Sequence, residues 1–202
     1  MPIFLHVGCG PKHKDKTTEA FAGAEWQELR LDIDPSVQPD IVGSMTDIAA
    51  ADESVDAVFS SHNIEHLHAH EVGIALAEFL RVLKADGFAV ITCPDLQSVA
   101  ALIAEDRLTD TAYVAAAGPI TPLDILYGHR RQIAEGNLFM AHRCGFTKKA
   151  LEQTLVAAGF GSVATWRRGH APHFDLWGLA TKRPVTEEAL RNSAVRHFPL
   201  PG

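Results

Sequence analysis

Five short apolar runs, each stopped by turn residues, set the rhythm of the first half of the chain. They cover residues 3–7, 29–33, 40–43, 54–60 and 88–93, and the clearest stops are Gly8-Cys9-Gly10-Pro11, Asp34-Pro35 and Pro94-Asp95. Runs of this length without polar alternation suit strands buried on both faces of a parallel sheet. Between the fourth and fifth, Val72, Leu76, Phe79, Leu80 and Leu83 recur at spacings of three and four. That spacing puts them on one face of a helix that can pack on the sheet, with Gly87 in the turn that follows. A second helix is predicted from Thr147, an N-cap, to Gly159, burying Ala150, Leu151, Leu155 and Ala158. Residues 162–167 and 174–181 then read as an antiparallel hairpin at one end of the sheet.

The interval 95–145 breaks the alternation. It has one helical pattern (Val99, Leu102, Ile103), a Gly-Pro-Ile-Thr-Pro break at 118–122 and a stretch rich in His and Arg. It reads as an insertion over the end of the sheet. The expected organisation is a single domain over 1–183, with 95–146 as a lid insertion and 184–202 as a C-terminal tail holding a short helix near 187–191.

Composition narrows the partners. Eighteen Lys and Arg against 25 Asp and Glu give a net charge of −7, and apolar residues make up 47% of the 202. A net-acidic globular chain lacks the dominant positive field that nucleic acid or anionic lipid requires. No apolar run reaches the roughly 18–20 residues needed to span a bilayer. Cys9, Cys93 and Cys144 share no metal or redox spacing, which suits a reducing, cytoplasmic compartment.

The turn after the first strand is where a parallel α/β sheet binds ligands. Gly8 and Gly10 allow close backbone approach, and exposed N–H groups there can hold an anion. Asp32 lies 22 residues beyond Gly10, at a strand end where a carboxylate can accept both hydroxyls of a ribose. Asp34, before Pro35, reads as a turn residue. A third glycine is missing, and Lys12 to Lys16 make a poor start for a packed helix, which disfavours a dinucleotide. There is no Walker lysine either. The turn suits a smaller anionic group joined to a nucleoside, and S-adenosylmethionine fits that description.

Together Leu5-His6-Val7-Gly8-Cys9-Gly10, Leu31-Asp32-Ile33-Asp34, Ser54-Val55-Asp56-Ala57-Val58, Ile64-Glu65-His66-Leu67 and residues 79–88 resemble a class I S-adenosylmethionine-dependent methyltransferase of small-molecule type. The resemblance implies a Rossmann-like α/β fold with a seven-stranded, mostly parallel sheet and a reversed C-terminal hairpin. It implies that Gly8, Cys9 and Gly10 wrap the methionine part, Asp32 holds the ribose and Ile33 packs on adenine. Met45 and Asp47 would flank the adenine, and Ser60 and His62 would lie near the sulfonium. His6 and Ser44 depart from the pattern, since acidic residues are frequent at both places. His6 stands at the contact to the methionine amino group.

The expected activity is in-line methyl transfer to a small-molecule acceptor. His142, His129 and Asp95 are the candidate bases, and Arg130, Arg131 and Arg143 would suit an anionic acceptor. Two other readings stay open. One is a protein that binds the nucleoside without transferring a methyl group. The other is a metal hydrolase in which His62 and His66, four apart, ligate from one helix face and Glu65 acts as base. The order His-Asn-Ile-Glu-His differs from His-Glu-x-x-His, so no metal is expected.

Overall fold

A computed structural model describes residues 1–199. The chain opens with β1 (Ile3–Val7), a short α1 (Glu19–Ala22), β2 (Gln27–Asp32), β3 (Ile41–Val42) and β4 (Val55–Ser61). Next come α2 (Val72–Val82), β5 (Leu83–Pro94), α3 (Leu96–Ala104), β6 (Tyr113–Ala115), β7 (Gly118–Ile120), α4 (Pro122–Tyr127) and α5 (Arg130–Ala134). The last elements are α6 (Lys148–Ala158), β8 (Ser162–His170), β9 (His173–Thr181) and α7 (Glu187–His197).

Seven strands form one sheet in the order β3-β2-β1-β4-β5-β9-β8. The pairs among β1 to β5 are parallel, β9 is antiparallel to β5, and β8 is antiparallel to β9. This is the α/β architecture expected, reversed hairpin included. Strand order turns back between β1 and β4, and that is where a crevice opens beyond the strand ends.

Alternation along β1 divides the core between two layers. Leu5 and Val7 join Leu76 and Phe79 of α2 and Leu151 and Leu155 of α6. Phe4 instead packs with Phe21 of α1, Phe59, Val90 and Leu179, flanked by Leu190 of α7. Each fully buried Leu or Phe in these layers contributes roughly 1.5–3 kcal/mol. Helix α6 has the predicted ends: Thr147 Oγ1 accepts from Ala150 N, and Gly159 takes the left-handed C-cap.

Three expectations shift. Gly87 lies inside β5 rather than in a turn, because β5 starts directly after α2 and is irregular against β4 between Val55 and Ala57. A Cβ at Gly87 would press within 3.0 Å of the carbonyl oxygens of Asp56 and Lys84. Hairpin β8–β9 runs further than its apolar pattern, to His170 and from His173. Helix α7 continues to His197, whose ring sits 4.5 Å from Phe21 and 5.0 Å from Phe88 between centroids. The rest of the expected tail, residues 200–202, lies outside the described residues. No helix among the described residues is long and apolar enough to cross a membrane.

The segment 95–146 carries its own small core of Val99, Ile120 and Ile125. A capping box between Thr121 and Asp124 starts α4, and an isolated bridge joins Asp95 to Phe146. Together with the end of β4 and the β8–β9 turn it walls a cavity of about 320 Å³.

Candidate active site

The glycine turn is fixed from both sides. Asp32, nearly buried, accepts from Gly10 N at 2.7 Å through Oδ2 and from Asp34 N at 2.9 Å through Oδ1. Each carboxylate oxygen keeps a further lone pair for a ligand. Arg30 donates through Nη2 to the Gly10 carbonyl at 2.6 Å and through Nη1 to that of Gln38 at 2.9 Å. Gly8 and Gly10 have φ of +61° and +53°. Open space surrounds the position of a Cβ at Gly10, whereas one at Gly8 would enter the amide of Asn63. Asn63 donates from Nδ2 to the carbonyls of Val7 at 2.8 Å and Ser61 at 3.0 Å, tying the turn to the end of β4. Cys9 is buried, and burial raises its thiol to about 11, so it serves as a packing residue.

The remaining residues expected at the donor cleft sit as follows. Ile33 is 46% exposed beside Asp32, an apolar surface open to a ligand. Met45 is partly buried against the core, and Asp47 is exposed with its N–H bonded to Ser44 O at 3.1 Å. His6 is buried with Nδ1 2.7 Å from Glu28 Oε1. Burial lowers its pKa, with Glu28 opposing. Glu28 therefore brings a carboxylate from the neighbouring strand to the place where His6 has none. Ser60 is fully enclosed, so its hydroxyl is not presented to the crevice.

Beyond β4 the chain does not enter an α-helix at once. His62 has a left-handed φ of +54° and Ile64–His66 form a single 3-10 turn. The helical pairing of His62 with His66 is thus not realised. Instead Glu65, His66 and His142 converge, with one ligating atom of each within 4.8 Å of the others. His66 Nδ1 lies 3.1 Å from Ala141 O, and His142 Nδ1 lies 2.8 Å from Ile125 O. Glu65 is 1% exposed, and neither carboxylate oxygen has a hydrogen-bond partner among the described residues. The nearest base is His62, its Nδ1 3.4 Å from Oε1 and its side chain 49% exposed. Burial alone would neutralise both groups. Their mutual attraction outweighs it, holding His62 above its usual pKa and Glu65 below, and His66 and His142 add to the effect on Glu65. Burial lowers His142.

The cavity beside this turn is lined by both His129 and His142, as well as Tyr113, Ile125 and Phe174. Asp95 is not in its lining. That carboxylate is fully buried and caps α3, accepting from Gln97 N and Ser98 Oγ, so it is unsuited to the role of base. The arginine expectation also changes. Arg130 Nε pairs with Asp124 Oδ1 at 2.6 Å, Arg131 with Glu135 on the surface, and Arg143 Nη1 reaches His66 O at 3.4 Å. Among the described residues the cavity lining contains Glu65, Asp124 and Asp175 and no Lys or Arg. The three arginines are therefore not placed to bind an acceptor inside it.

Residues 5–91 match the model of a family described as Methyltransferase domain. Over those residues, fewer than half of the 202, the chain is similar to that family. The methyltransferase fold extends across most of the molecule. An N1-methyltransferase of 1,6-didemethyltoxoflavin from Burkholderia thailandensis, solved with that compound and S-adenosylhomocysteine, superposes with a TM-score of 0.56 at 18% identity, over 90% of this chain and 72% of that one. An S-adenosylmethionine-dependent methyltransferase from Methanosarcina mazei gives 0.58 at 15% identity, over 91% and 93%. No curated protein matches. The glycine turn, Asp32 and Ile33 all lie within the matched residues, whereas twelve of the fifteen described residues that line the cavity lie beyond them.

Sequence reasoning passes over Arg30, Asn63 and Glu28. Each acts through one side chain on a backbone atom or neighbouring strand, which leaves no periodic trace. The cluster of Glu65, His66 and His142 is half visible, since the first two are adjacent, but His142 arrives from the insertion.

Proposed function

We propose that this protein transfers a methyl group from S-adenosylmethionine to a small-molecule acceptor held in the cavity. The observation that carries this reading is the pinned Asp32 carboxylate facing a positive-φ glycine turn, with exposed Ile33 beside it. Asp32 takes the ribose hydroxyls, Gly8, Cys9 and Gly10 follow the methionine part, and Ile33 with Met45 and Asp47 frames the adenine. Residue 62 links the two compartments. It precedes Asn63, which holds the glycine turn, and it lines the cavity. A donor in the cleft thus presents its methyl group toward the acceptor.

Holding nucleophile and methyl carbon at attack distance is worth roughly 7–11 kcal/mol. A positioned base adds about 10²–10⁴-fold for a hydroxyl acceptor. His129 and His142 line the cavity and are the groups placed to take that proton. Residues 95–146 act as the lid of a single domain. The acidic balance of the chain favours a small molecule over nucleic acid, and three free cysteines suit the cytoplasm.

Calorimetric titration with S-adenosylhomocysteine tests the donor site. Asp32→Asn is expected to weaken binding by about 1.5–3 kcal/mol, the worth of a hydrogen bond to a charged group. Equal affinity in wild type and variant refutes the assignment. Turnover of S-adenosylmethionine against a metabolite panel, followed by mass spectrometry, separates transfer from binding alone.

A further inference from the structure

We propose that Glu65, His66 and His142 form a binding site for a divalent first-row transition metal ion in the wall of the acceptor cavity. The proposal deepens the methyl-transfer reading, because the ion's open positions face the space assigned to the acceptor.

Backbone contacts bring the two segments together. Glu65 O accepts from Arg143 N at 2.8 Å and from Cys144 N at 3.2 Å, and Cys144 Sγ reaches Ile64 O at 3.3 Å. The turn after β4 is thereby stitched to the chain ahead of α6, with His142 and His66 rings 4.9 Å apart. Both rings contact a carbonyl oxygen through Nδ1. A carbonyl cannot donate, so each Nδ1 carries the proton and each Nε2 keeps a free lone pair. This is how ligating histidines are oriented in metal sites.

Glu65 supplies the second argument. The other two carboxylates of the cavity are neutralised, Asp124 by Arg130 and Asp175 by Arg168, whose Nε lies 2.9 Å from Oδ1. Glu65 is the most buried of the three and neither of its oxygens is hydrogen-bonded among the described residues. His62 approaches one oxygen only, from the open side. His62 lies 3.4 Å from Oε1 and makes no hydrogen bond to it, so the buried carboxylate has room for a closer cation. Two imidazole nitrogens and one carboxylate oxygen suit zinc, iron, cobalt or nickel better than magnesium or calcium, which prefer oxygen. Bonds of about 2.0–2.1 Å place ligand atoms roughly 3.3 Å apart around a tetrahedral ion. The three side chains need only draw in from their present spacing of up to 4.8 Å.

Three protein ligands leave coordination positions for an acceptor oxygen. With the Nε2 lone pair of His142 committed to the ion, a hydroxyl bound there gives its proton to His129, the other histidine of the cavity wall assigned that role. Its oxygen then forms the new bond to the methyl carbon, and the carbon–sulfur bond breaks with its electron pair retained by sulfur as a neutral thioether. The favoured acceptor class is a hydroxylated, metal-chelating small molecule.

The test uses tag-free protein stripped with a chelator and titrated with Co²⁺, read by visible absorption, and with Zn²⁺ by calorimetry. One ion per chain is expected, with the intense cobalt bands of a four- or five-coordinate site. Glu65→Gln and His142→Asn should each lower affinity at least 100-fold, and His68→Ala with His70→Ala, on the exposed turn, should not. Thermal melting verifies folding, and either of the two site variants suffices should the other unfold. Absence of stoichiometric binding in the wild type, or binding that survives both site variants, overturns the proposal. S-adenosylhomocysteine is titrated into the same stripped samples. Its failure to bind would strike the donor cleft instead, and the cobalt spectrum would still decide the metal site.

Discussion

Gly8 and Gly10 share a positive φ but differ in their surroundings, and the difference can be measured. At Gly8 a methyl group meets both the left-handed backbone and the Asn63 amide; at Gly10 it meets open space. Gly8→Ala is expected to cost roughly 1–3 kcal/mol from the strained backbone, and more from displacing Asn63. Gly10→Ala should lose less stability, because only the backbone strain applies. Urea unfolding would rank the two variants. Both should lose S-adenosylhomocysteine binding, Gly8→Ala by distorting the turn and Gly10→Ala by filling the space the ligand needs. Equal stability losses would remove the role given to Asn63. The two glycines are legible as Gly-Cys-Gly after an apolar run, and Asp32 by its distance from them. Arg30 and Asn63 are not, for a lone polar side chain reaching a carbonyl looks like any surface residue in a one-dimensional string.

At the scale of elements, legibility follows the strength of periodicity. Strands β1 to β5 and helices α2 and α6 stand out because each buries an apolar stripe or run. Apart from α3, whose Val99, Leu102 and Ile103 do show a helical spacing, the region 95–146 is built from pieces three to six residues long, such as β6, β7 and α4, too short to show a period. Helix α7 outruns its sequence pattern for another reason. Its buried positions include Ala194 and His197, which are weak apolar markers. His197 is nonetheless a structural residue, packed on Phe21 and Phe88 with Nδ1 3.1 Å from Thr18 Oγ1. Burial, assisted by the adjacent Arg196 cation, lowers its pKa to about 4. An unfolded histidine titrates near 6.5, so between these values the unfolded chain binds the extra proton. The contribution of His197 is fully present above pH 6.5 and is lost as pH falls toward 4, by about 3 kcal/mol in all. Denaturant melts across this range should show that slope in the wild type and a shallower one in His197→Phe. An unchanged slope would contradict the assignment.

At the scale of the whole molecule, the proposed function separates two tasks along the C-terminal rim of one sheet. The proposed donor cleft is made almost entirely from the first three strands and their turns, which lie within the residues that match the methyltransferase family model. The cavity proposed for the acceptor takes most of its wall from residues 113–142 and from the β8–β9 turn. Net charge alone says little about that cavity, since its arginine neighbours are paired with local carboxylates. One backbone feature joins the compartments. Asn63 grips the glycine turn while Glu65 and His66, two and three residues later, face the cavity. Linkage follows from that shared turn: whatever factor cobalt changes in the dissociation constant of S-adenosylhomocysteine, the nucleoside must impose on the dissociation constant of cobalt. A factor well away from one, measured in both directions, would mark the stretch from 62 to 67 as the lever through which filling one compartment tunes the other.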